Sequence, residues 1–203
     1  RVMMETDVSI TKDGVVILSH DTTLDRKTDV TGAIADWTYE ELMHQQVDFG
    51  FTNPVKNGQL NGKRVRFTTD SGRTVSPRDV AYPAGVRPRH RTKFLCTTLE
   101  ELLVCFPDNR INVEIKQEGE QGKRALNEVI RLLKLYDAFD RVVLASFHDE
   151  IYEAYVALQT AGQVPETFMY SPSVAPMIRY VALGALNLDF LFTDGLCVFQ
   201  LPT

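Results

Sequence analysis

The chain has 203 residues, a formal net charge of -5, and is 44% hydrophobic and 24% charged, the balance of an ordinary globular protein with enough chain for one core. No apolar run reaches the roughly eighteen residues that a membrane-crossing helix needs. Cys96, Cys105 and Cys197 are the three cysteines, an odd set without CxxC spacing, which argues against a disulfide framework or a zinc site.

The elements follow in chain order. Residues 2–8 read as a strand and 15–19 as a second, with the Asp13-Gly14 pair marking a tight turn between them. "RVMMETDV" reads as starting inside a strand, without a polar leader. Residues 22–36 form a loop of Thr, Asp and Gly, and a helix then starts at "TYEELMHQ", where Thr38 and Glu41 have capping-box spacing. Residues 48–95 show little periodicity, which predicts a functional loop or small insertion; within them "RVRFTT" and "GRTVS" are spaced for a hairpin. Between Pro54 and Lys93 there are 10 Lys or Arg and two acids, Asp70 and Asp79, a local charge of +8 that leaves -13 for the rest of the chain.

A second boxed helix follows, with Thr98 and Glu101 as the box and Cys105 on its apolar side, expected in the core. "RINVEIK" is a strand, 123–138 an amphipathic helix with Leu126, Val129, Ile130, Leu133 and Tyr136 on one face, and "RVVLASF" a strand. Residues 149–161 are a helix, "ETFMYS" a short strand, 174–184 a helix, "LDFLFTD" a strand, and "CVFQLP" one more. Near-continuous apolar strands alternating with helices predict βαβ units and a parallel sheet.

Side chains on a strand alternate faces, so Glu5 and Asp7 point one way, as do Asn112, Glu114 and Lys116. Both sets lie toward strand ends, where a (β/α)8 barrel gathers its active site. Three converging carboxylates repel one another unless a cation sits among them, and hard oxygen ligands suit Mg2+ or Ca2+ better than Zn2+. Glu5, Asp7 and Glu114 are therefore candidate metal ligands, Lys116 a candidate partner for an anionic substrate group, and His20, with an ordinary pKa of about 6.5 for its residue type, a candidate general acid or base. Each motif also has a plainer reading taken alone: ExD as the wet face of an edge strand, His20-Asp21 as a turn, EIK as an exposed alternation.

The series "ETDVSITKDGVVILSHDTTLDRKTDVTG", "TLEELLVCFPDNRINVEIK" and "VVLASF" resembles the glycerophosphodiester phosphodiesterase family. The resemblance implies a (β/α)8 TIM-barrel type of α/β fold with a small insertion, placed here at residues 52–94 of a single domain spanning 1–203. It implies an enzyme, a phosphoric diester hydrolase of lipid and glycerol metabolism, that hydrolyses glycerophosphodiesters to glycerol 3-phosphate and an alcohol with Ca2+ or Mg2+. By motif position Glu5, Asp7 and Glu114 match the metal-binding acids, His20 one of two catalytic histidines, and Lys116 the lysine near the phosphate. Lys27 and Val30 depart from the loop pattern. The family's His-Arg-Gly and Pro-Glu-Asn-Thr segments and its closing strands have no counterpart, so the barrel is expected to be incomplete at both ends and, as it stands, to lack one histidine of the acid–base pair; "FTDG" at 192–195 is only superficially similar to the family's last strand.

The alternatives are a phospholipase-type barrel acting on intact lipids and a non-catalytic phosphoester-binding module. The expected partner is a small-molecule substrate. Phe67 and Tyr82 are too few aromatics in the basic stretch for nucleic-acid stacking. The compartment stays open, and the insertion is compatible with a homo-oligomer as much as with substrate entry.

Overall fold

The structure is a computed structural model that describes residues 3–53, 93–171 and 173–191, and between them positions 59, 61–64, 67–68, 72 and 74–75. Along the chain run β1 (Met4–Ile10), β2 (Val16–Leu18), α1 (Tyr39–His44), β3 (Phe51–Thr52), β4 (Lys63–Arg64), β5 (Phe67–Thr68), β6 (Thr74–Val75) and α2 (Leu99–Cys105). They are followed by β7 (Ile111–Ile115), α3 (Gly119–Leu135), β8 (Val142–Ala145), α4 (Asp149–Thr160), β9 (Met169–Ser171) and α5 (Val174–Ala185). These residues cluster into two compact units, Arg1–Val8 with Phe106–Thr203, and Ser9–Cys105.

The first unit is built on parallel strands in the order β1-β7-β8-β9. Register sorts their residues into two faces. Val113, Leu144 and Tyr170 lie side by side on one of them, together with the pairs Ile111–Val142 and Val8–Ile115. All of these are buried. α3 and α4 supply the apolar cover: Leu126, Val129 and Leu133 from one, Ile151 and Tyr155 from the other, are buried. Tyr155 stacks on Tyr170 with ring centroids 4.5 Å apart, and its hydroxyl donates to the Phe168 carbonyl at 2.8 Å. The aromatic contact thus keeps its one polar atom satisfied. The opposite face carries Glu5, Asp7, Asn112 and Glu114, and small residues, Ala145 and Ser171, beyond them.

α3 begins at Gly119 and ends at Leu135, earlier at both ends than the periodicity predicts. Its first turn is capped from another helix: the Gly119 N–H donates to Glu150 Oε1 at 3.0 Å. Such a tertiary cap has no local sequence signal. Asp137 in the left-handed region (φ 47°) ends the helical run. Gly122 sits where a Cβ would collide with the Gln117 carbonyl oxygen and come within 2.6 Å of Ile151 Cδ1. Glycine is thus what lets α3 approach both.

In the second unit the end of β1 turns through Thr11–Val15 into β2. Gly14 takes φ 88°, a conformation side chains resist, and Thr11 Oγ1 donates to Asp13 Oδ1 at 2.5 Å. Asp13 Oδ1 also accepts the Tyr39 N–H at 3.0 Å, tying the turn to the start of α1. Both predicted capping boxes form: Thr38 with Glu41, and Thr98 with Glu101. The core is Ile17, Leu24, Ile34, Leu42, Val47 and Cys96, with Trp37 and Phe49 against it. Among the described residues Cys96 is buried, while Cys105, the last residue of α2 and expected in the core, is only half-buried. β5 and β6 pair antiparallel, as the hairpin reading of 64–76 expects. Most of the basic stretch lies outside the described residues. Its last member, Lys93, pairs with Asp29 at 3.3 Å and donates to the Gln46 carbonyl at 2.8 Å.

One predicted strand is corrected. Asp189–Leu191, inside "LDFLFTD", form a 3-10 turn, with the Leu191 N–H donating to the Leu188 carbonyl at 2.9 Å. A short apolar run fits strand and helix alike by periodicity. "FTDG", "CVFQLP" and Cys197 lie outside the described residues.

Candidate metal centre

β1 and β7 pair in parallel with Asp7 beside Glu114 and Glu5 beside Asn112. Adjacent parallel strands lie about 4.8 Å apart, so same-face acids at paired positions must meet. Carboxylate oxygens of Glu5, Asp7 and Glu114 lie within 4.8 Å of one another. Glu5 is exposed, Asp7 half-buried and Glu114 buried, so the group runs from solvent into the sheet. Three negative oxygens this close in a partly dry setting call for positive charge. All-oxygen donors suit a hard divalent cation, and the residues present fit one.

Lys116, one strand step past Glu114, supplies part of that charge. Its Nζ lies 2.5 Å from Glu114 Oε1 and 3.1 Å from Asp7 Oδ1. Partial burial pulls the ammonium pKa down, but the hydrogen bonds to Glu114 and Asp7 and their charges outweigh it, and the net effect is upward. The lysine is thus held protonated among the acids. Its main-chain N–H donates to the Val8 carbonyl at 3.2 Å, which anchors the residue to β1.

His20 belongs to the second unit, past the end of β2, with its side chain largely exposed. Its Nδ1 lies 2.8 Å from Asp21 Oδ1. Arg26 grips the same carboxylate, Nε to Oδ2 at 2.7 Å and Nη2 to Oδ1 at 2.5 Å. Arg26 chiefly, against some burial and with help from His20, holds the Asp21 carboxyl below the usual aspartate range. A carboxylate fixed by an arginine and bonded to one ring nitrogen sets the tautomer and angle of a histidine. The sequence reading passed over Asp21 and Arg26; their signal was the five-residue spacing inside "HDTTLDR".

It also passed over His148. Ligand atoms of Glu118, His148 and Glu150 lie within 4.8 Å of one another, and His148 Nε2 is 3.3 Å from the Lys116 carbonyl. Glu150 has a structural role here. The Gly119 N–H and its own N–H hold its carboxyl below the usual range. Two helix N-termini meet at this group, and their dipoles disfavour a cation.

The model of the glycerophosphoryl diester phosphodiesterase family matches residues 2–189. The chain belongs to this family. It is 42% identical over 145 residues to a glycerophosphodiester phosphodiesterase of Bacillus altitudinis, an alignment covering 71% of this chain and 46% of that protein. The chain therefore spans less than half the length of that relative. Among solved structures it is similar to a glycerophosphoryl diester phosphodiesterase domain from Mycobacterium tuberculosis (TM-score 0.55, 19% identity, 91% of this chain and 54% of that one). It is also similar to an Oleispira antarctica phosphodiesterase in complex with the product sn-glycerol-3-phosphate (TM-score 0.53, 20% identity, 90% and 59%). The parallel α/β architecture is accordingly of the (β/α)8 type, as expected. Among the described residues no helix is long and apolar enough to cross a membrane.

Proposed function

We propose that this glycerophosphodiester phosphodiesterase family chain carries the metal-binding half of a site that hydrolyses glycerophosphodiesters to glycerol 3-phosphate and an alcohol. The observation that carries the reading is the meeting of Glu5, Asp7 and Glu114 on one sheet face with Lys116 between two of them. A divalent cation, Ca2+ or Mg2+, held by the three acids would neutralise the charge on the phosphate oxygens. Lys116 binds the phosphodiester anion from the same side. His20, its ring set by Asp21, gives or takes the proton of an ester oxygen; this role rests on its place in the family motif. The relatives support the reaction class by name, and the Oleispira antarctica protein supports glycerol 3-phosphate as a product.

The test is release of glycerol 3-phosphate from glycerophosphocholine by the full protein with Ca2+, with Mg2+ and with a chelator. Activity abolished by the chelator supports the reading; hydrolysis indifferent to the chelator refutes the metal role.

A second reading has one observation in its favour. Ile178, Val181, Leu186, Phe190 and Leu191, on α5 and just past it, are exposed apolar side chains, a feature suited to substrates still embedded in lipid. Turnover confined to lipid vesicles would select that reading over soluble glycerophosphodiesters.

A further inference from the structure

We propose that Lys116 is a built-in competitor for the metal, sharing Asp7 and Glu114 with the divalent cation, so that metal entry releases its ammonium toward the phosphodiester. This inference rests on the metal-site reading above.

The geometry sets up the competition. The ammonium contacts one oxygen from each of two of the three proposed ligands, at 3.1 Å and 2.5 Å, and the Lys116, Asp7 and Glu114 side chains are all largely buried, with 20%, 16% and 3% exposure. Water screens such a cluster poorly. A divalent cation coordinates carboxylate oxygens at about 2.0–2.6 Å. It must therefore share the carboxylates that the ammonium already engages, and it adds two positive charges beside a third.

The backbone of Lys116 is held on both sides. Its N–H is bonded to the Val8 carbonyl at 3.2 Å, and its carbonyl lies 3.3 Å from His148 Nε2. Adjustment is left to the four-carbon side chain. A second resting place is at hand: Nζ lies 5.8 Å from the centre of the Phe147 ring, near the outer limit at which an aromatic face attracts a cation. A lysine detached from the acids and held beside the metal is ready for the negative charge of a phosphodiester. Metal and phosphate then strengthen each other's binding, and by linkage the coupling is reciprocal.

Calorimetric titration of Ca2+ into the full protein tests this, for wild type and Lys116→Met, each with and without glycerol 3-phosphate. Without phosphate, Lys116→Met is expected to bind Ca2+ about tenfold tighter, the effect of removing one nearby like charge. Glycerol 3-phosphate should tighten Ca2+ more in the wild type than in the variant, where only the direct attraction between cation and phosphate is left. A variant that binds Ca2+ equally or more weakly, while the wild type binds it, overturns the competition and leaves the metal site standing. A wild type that binds neither Ca2+ nor Mg2+ overturns the metal reading and this inference together.

Should Lys116→Met fail to fold, the wild type alone decides. Acylation of Lys116, read by peptide mass spectrometry, should rise several-fold when Ca2+ replaces chelator. Constant or reduced labelling refutes the release.

Discussion

Replacing Glu114 by Gln separates the folding role of this side chain from its ligand role. Gln has nearly the same shape, so the buried site is neither emptied nor overfilled. Glu114 is 2% exposed and holds the Lys116 ammonium at 2.5 Å. The Gln oxygen can still accept that hydrogen bond, so stability should fall by only about 1 kcal/mol, the difference between a charged and a neutral acceptor. The metal loses far more. One carboxylate ligand in three is gone, and partners that merely orient a ligand already cost about 10–100-fold when mutated. Affinity for Ca2+ should therefore fall by more than about 100-fold, or over 2.7 kcal/mol, and glycerol 3-phosphate release should fall with it. Calorimetry with Ca2+ gives the affinity, and a thermal melt in chelator gives the stability. Wild-type Ca2+ affinity in a folded Glu114→Gln protein would refute the assignment. So would loss of folding alone, with any residual folded protein binding Ca2+ normally.

Three further outcomes are expected. His20→Ala should lower turnover by about 10²–10⁴-fold, the usual range for a positioned acid or base, with Ca2+ affinity within about twofold of wild type; a joint loss of both would tie His20 to the metal instead. Asp21 has a folded pKa below its ordinary value of about 3.9. Its stabilisation is therefore full above that value and is lost as pH falls through the lower folded pKa; melts between pH 2 and 6 should show a steeper acid limb for wild type than for Asp21→Asn, and parallel limbs would remove Arg26 as the cause. Gly122→Ala should cost about 1–3 kcal/mol, as overpacking does, because the new Cβ meets the Gln117 carbonyl and Ile151; an unchanged melting temperature would show that α3 can shift freely.

Much of this was legible along the chain because the physics is local. Period-two alternation alone put Glu5 with Asp7, and Asn112 with Glu114 and Lys116, on common faces. Thr38 with Glu41, Thr98 with Glu101, and the Gly14 turn are each decided within five residues, and each forms as read. Alternating apolar strands and helices were enough for the parallel sheet. Residues 189–191 were not legible as a turn: "LDFL" is too short for its apolar residues to show either period, and the Leu188 N–H bonds back to the Leu183 carbonyl at 2.8 Å, with Asn187 at φ 56°, in a closure that ends α5 just before the turn.

What only the tertiary structure decided is distance between strands. Alternation says which way Asp7 and Glu114 point, but the parallel register of β1 on β7 makes them neighbours, and more than 100 residues of chain separate them. The return of Lys116 onto both acids, the cap that Glu150 lends to α3, and the grip of Arg26 on Asp21 belong to the same class. Each depends on where a flexible side chain comes to rest once the backbone has brought a partner within about 3 Å, the range of a hydrogen bond. Sequence carries the residue types for such contacts, and packing selects the contact.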